Sequence, residues 1–586
     1  MASHTDSALR TDDWYRRAVV YQIYVRSFAD GDGDGTGDIA GIRRRLPHLA
    51  SLGIDAIWVN PWYVSPLLDG GYDVADYRSI DPRYGTVDEA TAFIEEAAAL
   101  GVRVLVDLVP NHTSFEHDWF RAALDSPPGS PERARYHFVD GRGVDGESPP
   151  NDWPSVFGGP AWTRVDDGQW YLHLFDHSQP DLNWELPEVR DEFESILRFW
   201  LDRGAAGFRV DVAHSLVKAP GYPDLGEEYS AADGPAWKEG HPFWDRDGVH
   251  EIIRGWRSVL DGYDDRMMVA EAWVRPDRRH LYVRPDEYHQ AFDFDFLRSP
   301  WSATEFAARL ETAFEQSRLA GSTNTWVLSN HDVVRHSTRY SLPDDVDAEE
   351  WLLDGDRELL DEATGARRAR AAILLVLALP GSVYLYQGEE LGLPEAYDLP
   401  LDVLDDPVWE NSNHRRKGRD GCRVPIPWTT DGPSLGFGSG EPWLPQPEGF
   451  AERSVEAQEA DPSSMLHLYR RALRLRSELL VRPAESDPSS TSASEAATSS
   501  SSASSSSTSS SDRGEAKRGS GSSESADGAA VVSVVDDVLT VVAGHGVRCV
   551  VNMSGAPVEV PEGEILLASG HLDDGLLGVD DAVWVR

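Results

Sequence analysis

The sequence predicts an α/β chain built on a (β/α)8 barrel, with a domain inserted between strand 3 and helix 3 and a C-terminal antiparallel β-domain. Three observations lead there. Eight short runs rich in β-branched and aromatic residues recur, each followed by a helical segment. One strand-to-strand interval is far too long for an ordinary connection. The last part of the chain, 531–586, alternates apolar and polar residues between turn signals.

The runs are VVYQIYV (19–25), AIWVNP (56–61), RVLVDLV (103–109), GFRVD (207–211), MMVAEAW (267–273), AFDFDF (291–296), TWVLSNHD (325–332) and SVYLYQ (382–387). A doubly wound sheet is the rival architecture. It would place a glycine-rich dinucleotide turn after the first strand, and none is there.

About a hundred residues separate the third and fourth strands. Of these, 112–184 is rich in Pro, Gly, Asp and Trp and reads as a small domain over the top of the barrel. A second excursion, 388–460, follows strand 8 and walls the same face. MLHLYRRALRLRSELL (465–480) has apolar residues at helical spacing and closes the barrel. Residues 486–527 are almost wholly Ser, Ala, Thr, Gly and Asp, a composition with no core to bury. The expected division is therefore barrel 12–111 and 185–482, inserted domain 112–184, Ser-rich linker 483–530 and β-domain 531–586.

Composition narrows the function. The net charge is −46, from 100 acidic against 54 basic residues, a surface that repels nucleic acid and anionic membranes and suits a neutral small-molecule substrate. Two cysteines, Cys422 and Cys549, exclude a disulfide scaffold and are expected as buried thiols. The first residues, MASHTDSALRTDDWYRR, contain no apolar segment of the signal-peptide kind. The longest apolar run, 371–386, is interrupted by Pro380 and Gly381 and reads as a buried helix and strand rather than a membrane span. A soluble, cytoplasmic protein is expected. Twenty tryptophans and nineteen tyrosines suit stacking on sugar rings, although core packing accounts for most of them.

Active sites of such barrels sit at the C-terminal ends of the strands. Strand 3 ends in Asp107, followed by Asn111 and His112; strand 4 carries Arg209 and Asp211; strand 5 carries Glu271; strand 7 leads to His331 and Asp332. Arg209 and Asp211, two apart on a strand, share the interior face, so Phe208 and Val210 point outward. The arginine beside it should lower the pKa of Asp211, as a nucleophile requires, and that negative charge should push Glu271 towards its protonated form, as a general acid requires. Two such carboxyls about 5–5.5 Å apart act with retention through a covalent glycosyl-enzyme. From spacing alone, a structural salt-bridge network stays open as the alternative.

Four segments, DLVPNHTS (107–114), GFRVDVAHS (207–215), VAEAWV (269–274) and VLSNHDVVR (327–335), resemble the four ordered regions of the α-amylase family, glycoside hydrolase family 13. QPDLNW (179–184) resembles the extra motif of its oligo-1,6-glucosidase and α-glucosidase branch, as do 20–42, DGGYDVADY (69–77) and YLYQGEELG (384–392). The likeness spans about 14–480 and is nearest to bacterial, actinobacterial-like α-glucosidases. It implies Asp211 as nucleophile, Glu271 as acid/base and Asp332 as the carboxylate that holds the sugar's 2- and 3-hydroxyls. It implies Asp69, Tyr72, His112, Phe175, Arg209, His331 and Arg419 as contacts of the same glucose ring, with Arg423 four residues beyond Arg419. Val212, after the nucleophile, tends in that branch to accompany α-1,6 activity.

ADGDGDGTGD places Asp30, Asp32, Asp34, the Thr36 carbonyl and Asp38 at alternating positions, like the first nine positions of a calcium loop; the twelfth is Gly41, so it is no EF-hand. A solvated acidic turn is the simpler reading of such a run. The resemblance favours a structural Ca2+ or Mg2+ there, with no organic cofactor, and treats Asn111 as a hydrogen-bonding residue. The expected function is exo-acting hydrolysis of short α-glucosides. The rivals are a transglycosylase or isomerase of trehalose-synthase or sucrose-isomerase type, and a non-catalytic sugar-binding or transporter-associated member.

Overall fold

The structure is a computed structural model that describes residues 11–226, 240–481, 530–543 and 546–586. The Ser-rich tract at 486–527 lies outside the described residues.

Eight parallel strands make one sheet: β1 (Val19–Ile23), β2 (Ala56–Val59), β3 (Arg103–Leu108), β4 (Gly207–Val210), β5 (Met267–Ala270), β6 (Gln290–Ala291), β7 (Thr325–Val327) and β8 (Ser382–Tyr386). Their spatial order is β6-β5-β4-β3-β2-β1-β8-β7, so β1 pairs with β8 and the sheet curls back on itself. Among the described residues no ladder joins β6 to β7; the seam is bridged by Thr325, whose hydroxyl donates to the Ala291 carbonyl. Apart from Arg103 at the start of β3, every strand is buried along its length, as a parallel sheet covered by helices requires.

Alternation along the strands divides the core. Val20, Ala56, Trp58, Leu105, Val269 and Tyr384 pack together inside the barrel. Val19, Tyr21, Ile57, Val104, Phe208, Val210 and Val383 join the outer core against the helices, which is the outward orientation expected of Phe208 and Val210. At the start of β4, Gly207 has φ 147°, and a Cβ there would lie 1.8 Å from the Met267 carbonyl oxygen. Only glycine lets β4 and β5 pair at this point.

The helical layer includes Ile39–Leu52, Val87–Ala99, Pro187–Leu201, Val249–Leu260, Ala303–Ala320, Glu362–Ala378 and Met465–Val481. Val87–Ala99 starts in a reciprocal capping box between Thr86 and Glu89. Glu362–Ala378 leads into β8, so the apolar run at 371–386 is a buried helix and strand. Among the described residues no helix is long and apolar enough to cross a membrane.

The sixth strand departs from expectation. The run at 291–296 was expected to be extended, but pairing stops at Ala291 and Phe294–Leu297 is a helical turn. The reason is local: the Asp293 carboxylate accepts from the Phe296 N–H and caps the turn. The turn swings Phe294 over the rim, where it meets Trp273.

Between β3 and Pro187–Leu201 lies a small unit with an antiparallel sheet of Phe138–Asp140, Gln169–Leu172 and Trp162–Arg164. Its own apolar cluster contains Trp153, Trp162, Leu172 and Leu174. At the C-terminus, strands Val531–Val535, Val538–Val542, Arg548–Asn552, Ala582–Val585 and Ile565–Ala568 form an antiparallel sheet in that spatial order. Trp584 fixes this sheet to the barrel by donating from its indole N–H to the Leu374 carbonyl. Cys422 and Cys549 are free and buried.

Candidate active site

The β-ladder delivers the key carboxylates. Asp107 on β3 stands beside Arg209 on β4 in register. Asp211 and Glu271 come one residue past the ends of β4 and β5, and their N–H groups still bond to Leu108 and Val210. The Arg209 guanidinium is buried among all three acids. Its Nη1 donates to Asp107 Oδ1 at 2.9 Å and to Asp211 Oδ1 at 2.6 Å; its Nη2 meets Glu271 Oε2 at 2.9 Å. One guanidinium thus spans Asp211 and Glu271.

Electrostatics here differ from the expectation of a lowered Asp211 pKa. Burial pushes the Asp211 carboxyl well up; Arg209 pulls it down, but the neighbouring charges of Glu271 and Asp107 add to the rise. Burial likewise raises Asp107 to about 6, against the pull of Arg209.

Val212 adds a constraint. It has φ 44°, which a β-branched residue rarely adopts. This conformation presents its N–H to Glu271 Oε2 at 3.1 Å. The strain is thus tied to the position of the second acid.

Around this pair opens a cavity of about 360 Å3. Asp69, Tyr72, His112, Phe175, His331, Asp332 and Arg419 line it together with Asp211 and Glu271, while Arg209 lies beneath its floor. Residues spread from position 69 to 419 are thus brought into one place. Tyr72 stacks on His331 with ring centres 5.1 Å apart and planes 7° apart, and its hydroxyl donates to Asp107 Oδ2 at 2.9 Å. The Phe175 ring sits 5.3 Å from His112.

Arg419 closes one end, with Nη2 2.7 Å from Asp69 Oδ1 and Nη1 3.2 Å from Asp332 Oδ1. Arg423 Nη2 reaches the same Asp332 oxygen at 3.2 Å, and His331 Nε2 lies 3.2 Å from Oδ2. Burial alone would raise Asp332, but His331, Arg419 and Arg423 outweigh it and hold the carboxyl well below its ordinary range. Burial lowers His112 to about 4, so its imidazole is neutral at pH 7.

Several partners escaped the sequence reading. Asp406, fully buried, pairs with Arg419 Nε and is held at about 2: burial opposes that shift, and Arg419 and Arg423 overcome it. Gln179 donates to Asp69 Oδ2 at 2.9 Å, so the QPDLNW motif braces the pocket from behind. Trp273, Phe157, Phe294 and Arg298 also line the cavity. A Trp two residues beyond Glu271 was the one available signal; a buried Asp in a long loop has none.

Asn111 is a hydrogen-bonding residue, as expected. Its Oδ1 accepts from Lys218 Nζ at 3.0 Å, and Lys218 pairs with Asp181 at 2.7 Å. A buried ammonium supplies the positive charge at this point.

In the glycine-rich loop, carboxylate oxygens of Asp30, Asp32 and Asp38 lie within 4.8 Å of one another. Asp34 is outside this group; its carboxylate accepts from the Thr36 N–H at 2.7 Å. Asp38 also caps Ile39–Leu52 through Gly41. A cavity of about 550 Å3 lies against this loop, lined by Asp30, Arg44, Arg45 and the 429–439 segment.

A family description of the alpha amylase catalytic domain matches residues 22–482. The chain is 38% identical over 496 residues to a probable alpha-glucosidase of Rhizobium meliloti, covering 81% of this chain and 85% of that protein. It is 35% identical over 501 residues to an oligo-1,6-glucosidase of Parageobacillus thermoglucosidasius, covering 79% and 84%. Among solved structures, an alpha-glucosyl transfer enzyme superposes with a TM-score of 0.79 at 31% identity, covering 98% of this chain and 99% of that one. The family match begins within β1 and ends just past Met465–Val481, so it is the barrel itself that places this chain in the α-amylase family of glycoside hydrolases.

Proposed function

We propose that this chain is a retaining, exo-acting α-glucoside hydrolase that releases glucose from the non-reducing end of short α-glucosides. The observation that carries the reading is Arg209, which holds Asp211 and Glu271 close together on the floor of a pocket that Asp69 and Arg419 close off. A blocked pocket takes a chain end and not the middle of a polymer. Carboxyls that share one guanidinium suit the retaining geometry, whereas inverting pairs stand apart to admit a water.

In this mechanism, Asp211 attacks the anomeric carbon while Glu271 gives its proton to the departing glycosidic oxygen. A covalent glycosyl-enzyme forms and the leaving alcohol departs. Water then enters, Glu271 takes its proton, and the oxygen displaces Asp211 to give glucose of unchanged configuration. Asp332, held ionised by Arg419 and Arg423 and by the N–H of His331, accepts hydrogen bonds from the ring hydroxyls and favours the positive charge of the transition state. Neutral His112 and His331 serve as hydrogen-bonding groups on the same ring. Val212 supports α-1,6 linkages among the substrates.

Incubation with maltose, isomaltose, sucrose and trehalose tests the reading. Free glucose, appearing first as the α-anomer, is expected from at least one of them, and Glu271→Gln should lose most of that activity while still binding sugar. Comparable cleavage of internal starch bonds and of maltose would overturn exo-action. Glucosyl transfer is the second reading, supported by the likeness to an alpha-glucosyl transfer enzyme; maltose as sole substrate separates the two, because transfer yields larger or isomeric sugars.

Asp30, Asp32 and Asp38 suit a structural Ca2+ or Mg2+: the donors are all oxygen, and three carboxylates converge on one point. Such an ion would tie the loop to the start of Ile39–Leu52. Asp34 and the Thr36 carbonyl would complete the set in the wider reading of the loop.

A further inference from the structure

We propose that Trp273 is a positioning residue for proton transfer, its indole N–H holding one oxygen of Glu271 while the other oxygen is held by Arg209 and Val212. This rests on Glu271 being the acid/base as proposed above.

The geometry separates the two carboxylate oxygens. Oε2 meets Arg209 Nη2 at 2.9 Å and the Val212 N–H at 3.1 Å, which occupies both of its lone pairs. Oε1 accepts from Trp273 Nε1 at 2.9 Å. One lone pair of Glu271 is left, on Oε1, and Glu271 lines the cavity. The transferable proton is therefore carried on Oε1, and the indole decides which side of that oxygen it occupies.

A ring placed only for packing needs no nitrogen aimed at a carboxylate. This ring and its backbone are also held in place. It stacks on Phe294 with centres 3.9 Å apart and planes 10° apart. The Arg298 guanidinium lies 4.5 Å from its centre. Its backbone N–H donates to His214 Nδ1 at 3.4 Å, and its carbonyl accepts from Trp244 Nε1 at 2.6 Å. The early end of β6 serves this arrangement, because the Asp293-capped turn is what brings Phe294 onto the indole.

The charged and titratable groups facing Glu271 are Arg209 and Asp211 from β4 and its end, Asp107 from β3, His214 from the segment after β4, His331 and Asp332 from the segment after β7, and Asp295 and Arg298 from the turn after β6. Trp273→Phe changes none of these and keeps the stack, so it isolates the N–H.

The test compares maltose, whose leaving group needs a proton, with 4-nitrophenyl α-glucoside, whose leaving group does not. For Trp273→Phe, kcat/KM on maltose should fall about 10²-fold, while the aryl glucoside loses no more than about threefold. Equal losses on both substrates would overturn the proposal. Phe294→Ala, which unclamps the ring, should show the same maltose-selective loss at smaller size, and an equal loss on both substrates counts against it even where Trp273→Phe fails to fold. Retained maltose activity in Glu271→Gln would overturn instead the reading on which this rests.

Discussion

Arg209 donates to Asp211 at 2.6 Å from a position beneath the pocket floor, where water does not reach it. Removing it would leave Asp107, Asp211 and Glu271 crowded together with no cation among them. Arg209→Met should lower kcat/KM by at least about 10²-fold and destabilise the fold by about 3–5 kcal/mol. Steady-state kinetics and urea unfolding check the two effects. Arg209→Lys should not restore activity, because an ammonium cannot span the acids as the planar fork does.

Asp406 touches Arg419, not the cavity's acids. Asp406→Asn should let Arg419 drift from Asp69 and Asp332. The expected result is a KM raised about tenfold, with kcat much less affected, which is a loss of about 1.4 kcal/mol of binding. Parallel kinetics with the wild type on the same disaccharide measure it.

Glu389 is buried behind β8 and pushed up to about 8 by that burial, although its hydrogen bond from the Tyr386 N–H and the charge of Arg335 act the other way. Its folded pKa therefore exceeds the unfolded value of about 4.3. The unfolded chain releases this proton first as pH rises, so the stability contribution is full below about pH 4.3 and is lost progressively towards pH 8. Glu389→Gln, which mimics the protonated acid, should gain in Tm relative to the wild type from pH 5 to pH 8. Thermal melts at several pH values would read this trend.

Chelation probes the Asp30–Asp32–Asp38 cluster. A chelator should lower the wild-type Tm by several degrees, and added Ca2+ should restore it. An ion held at a hundredfold excess over its Kd contributes about 2.7 kcal/mol. Asp32→Ala should remove both responses while leaving Glu271-dependent activity in place at moderate temperature.

Much of the barrel was legible because its signals are local. A buried parallel strand is a short apolar run, and the polar residues after it mark the rim; Asp211, Glu271 and Asp332 follow such runs and line one cavity. The sixth strand was misread because AFDFDF carries strand composition, while its fate turns on Asp293 capping Phe296, a side-chain choice that periodicity does not register. The direction of the Asp211 shift was not legible for a related reason. Spacing revealed Arg209 beside Asp211, but the cost of burying that carboxyl next to two others depends on how little water remains.

The sequence by itself determined the barrel, the order of its strands and the carboxylates at their ends, because apolar patterning and residue type act within one segment. Only the tertiary structure decided that Arg209 serves three acids at once, that Asp406 steadies Arg419 from a loop after β8, and that Trp273 reaches Glu271 under the clamp of Phe294. Each of these is a contact whose position is set by barrel closure and the packing of its rim. Hydrogen bonds and ion pairs depend on distance and angle in space, which sequence separation does not encode.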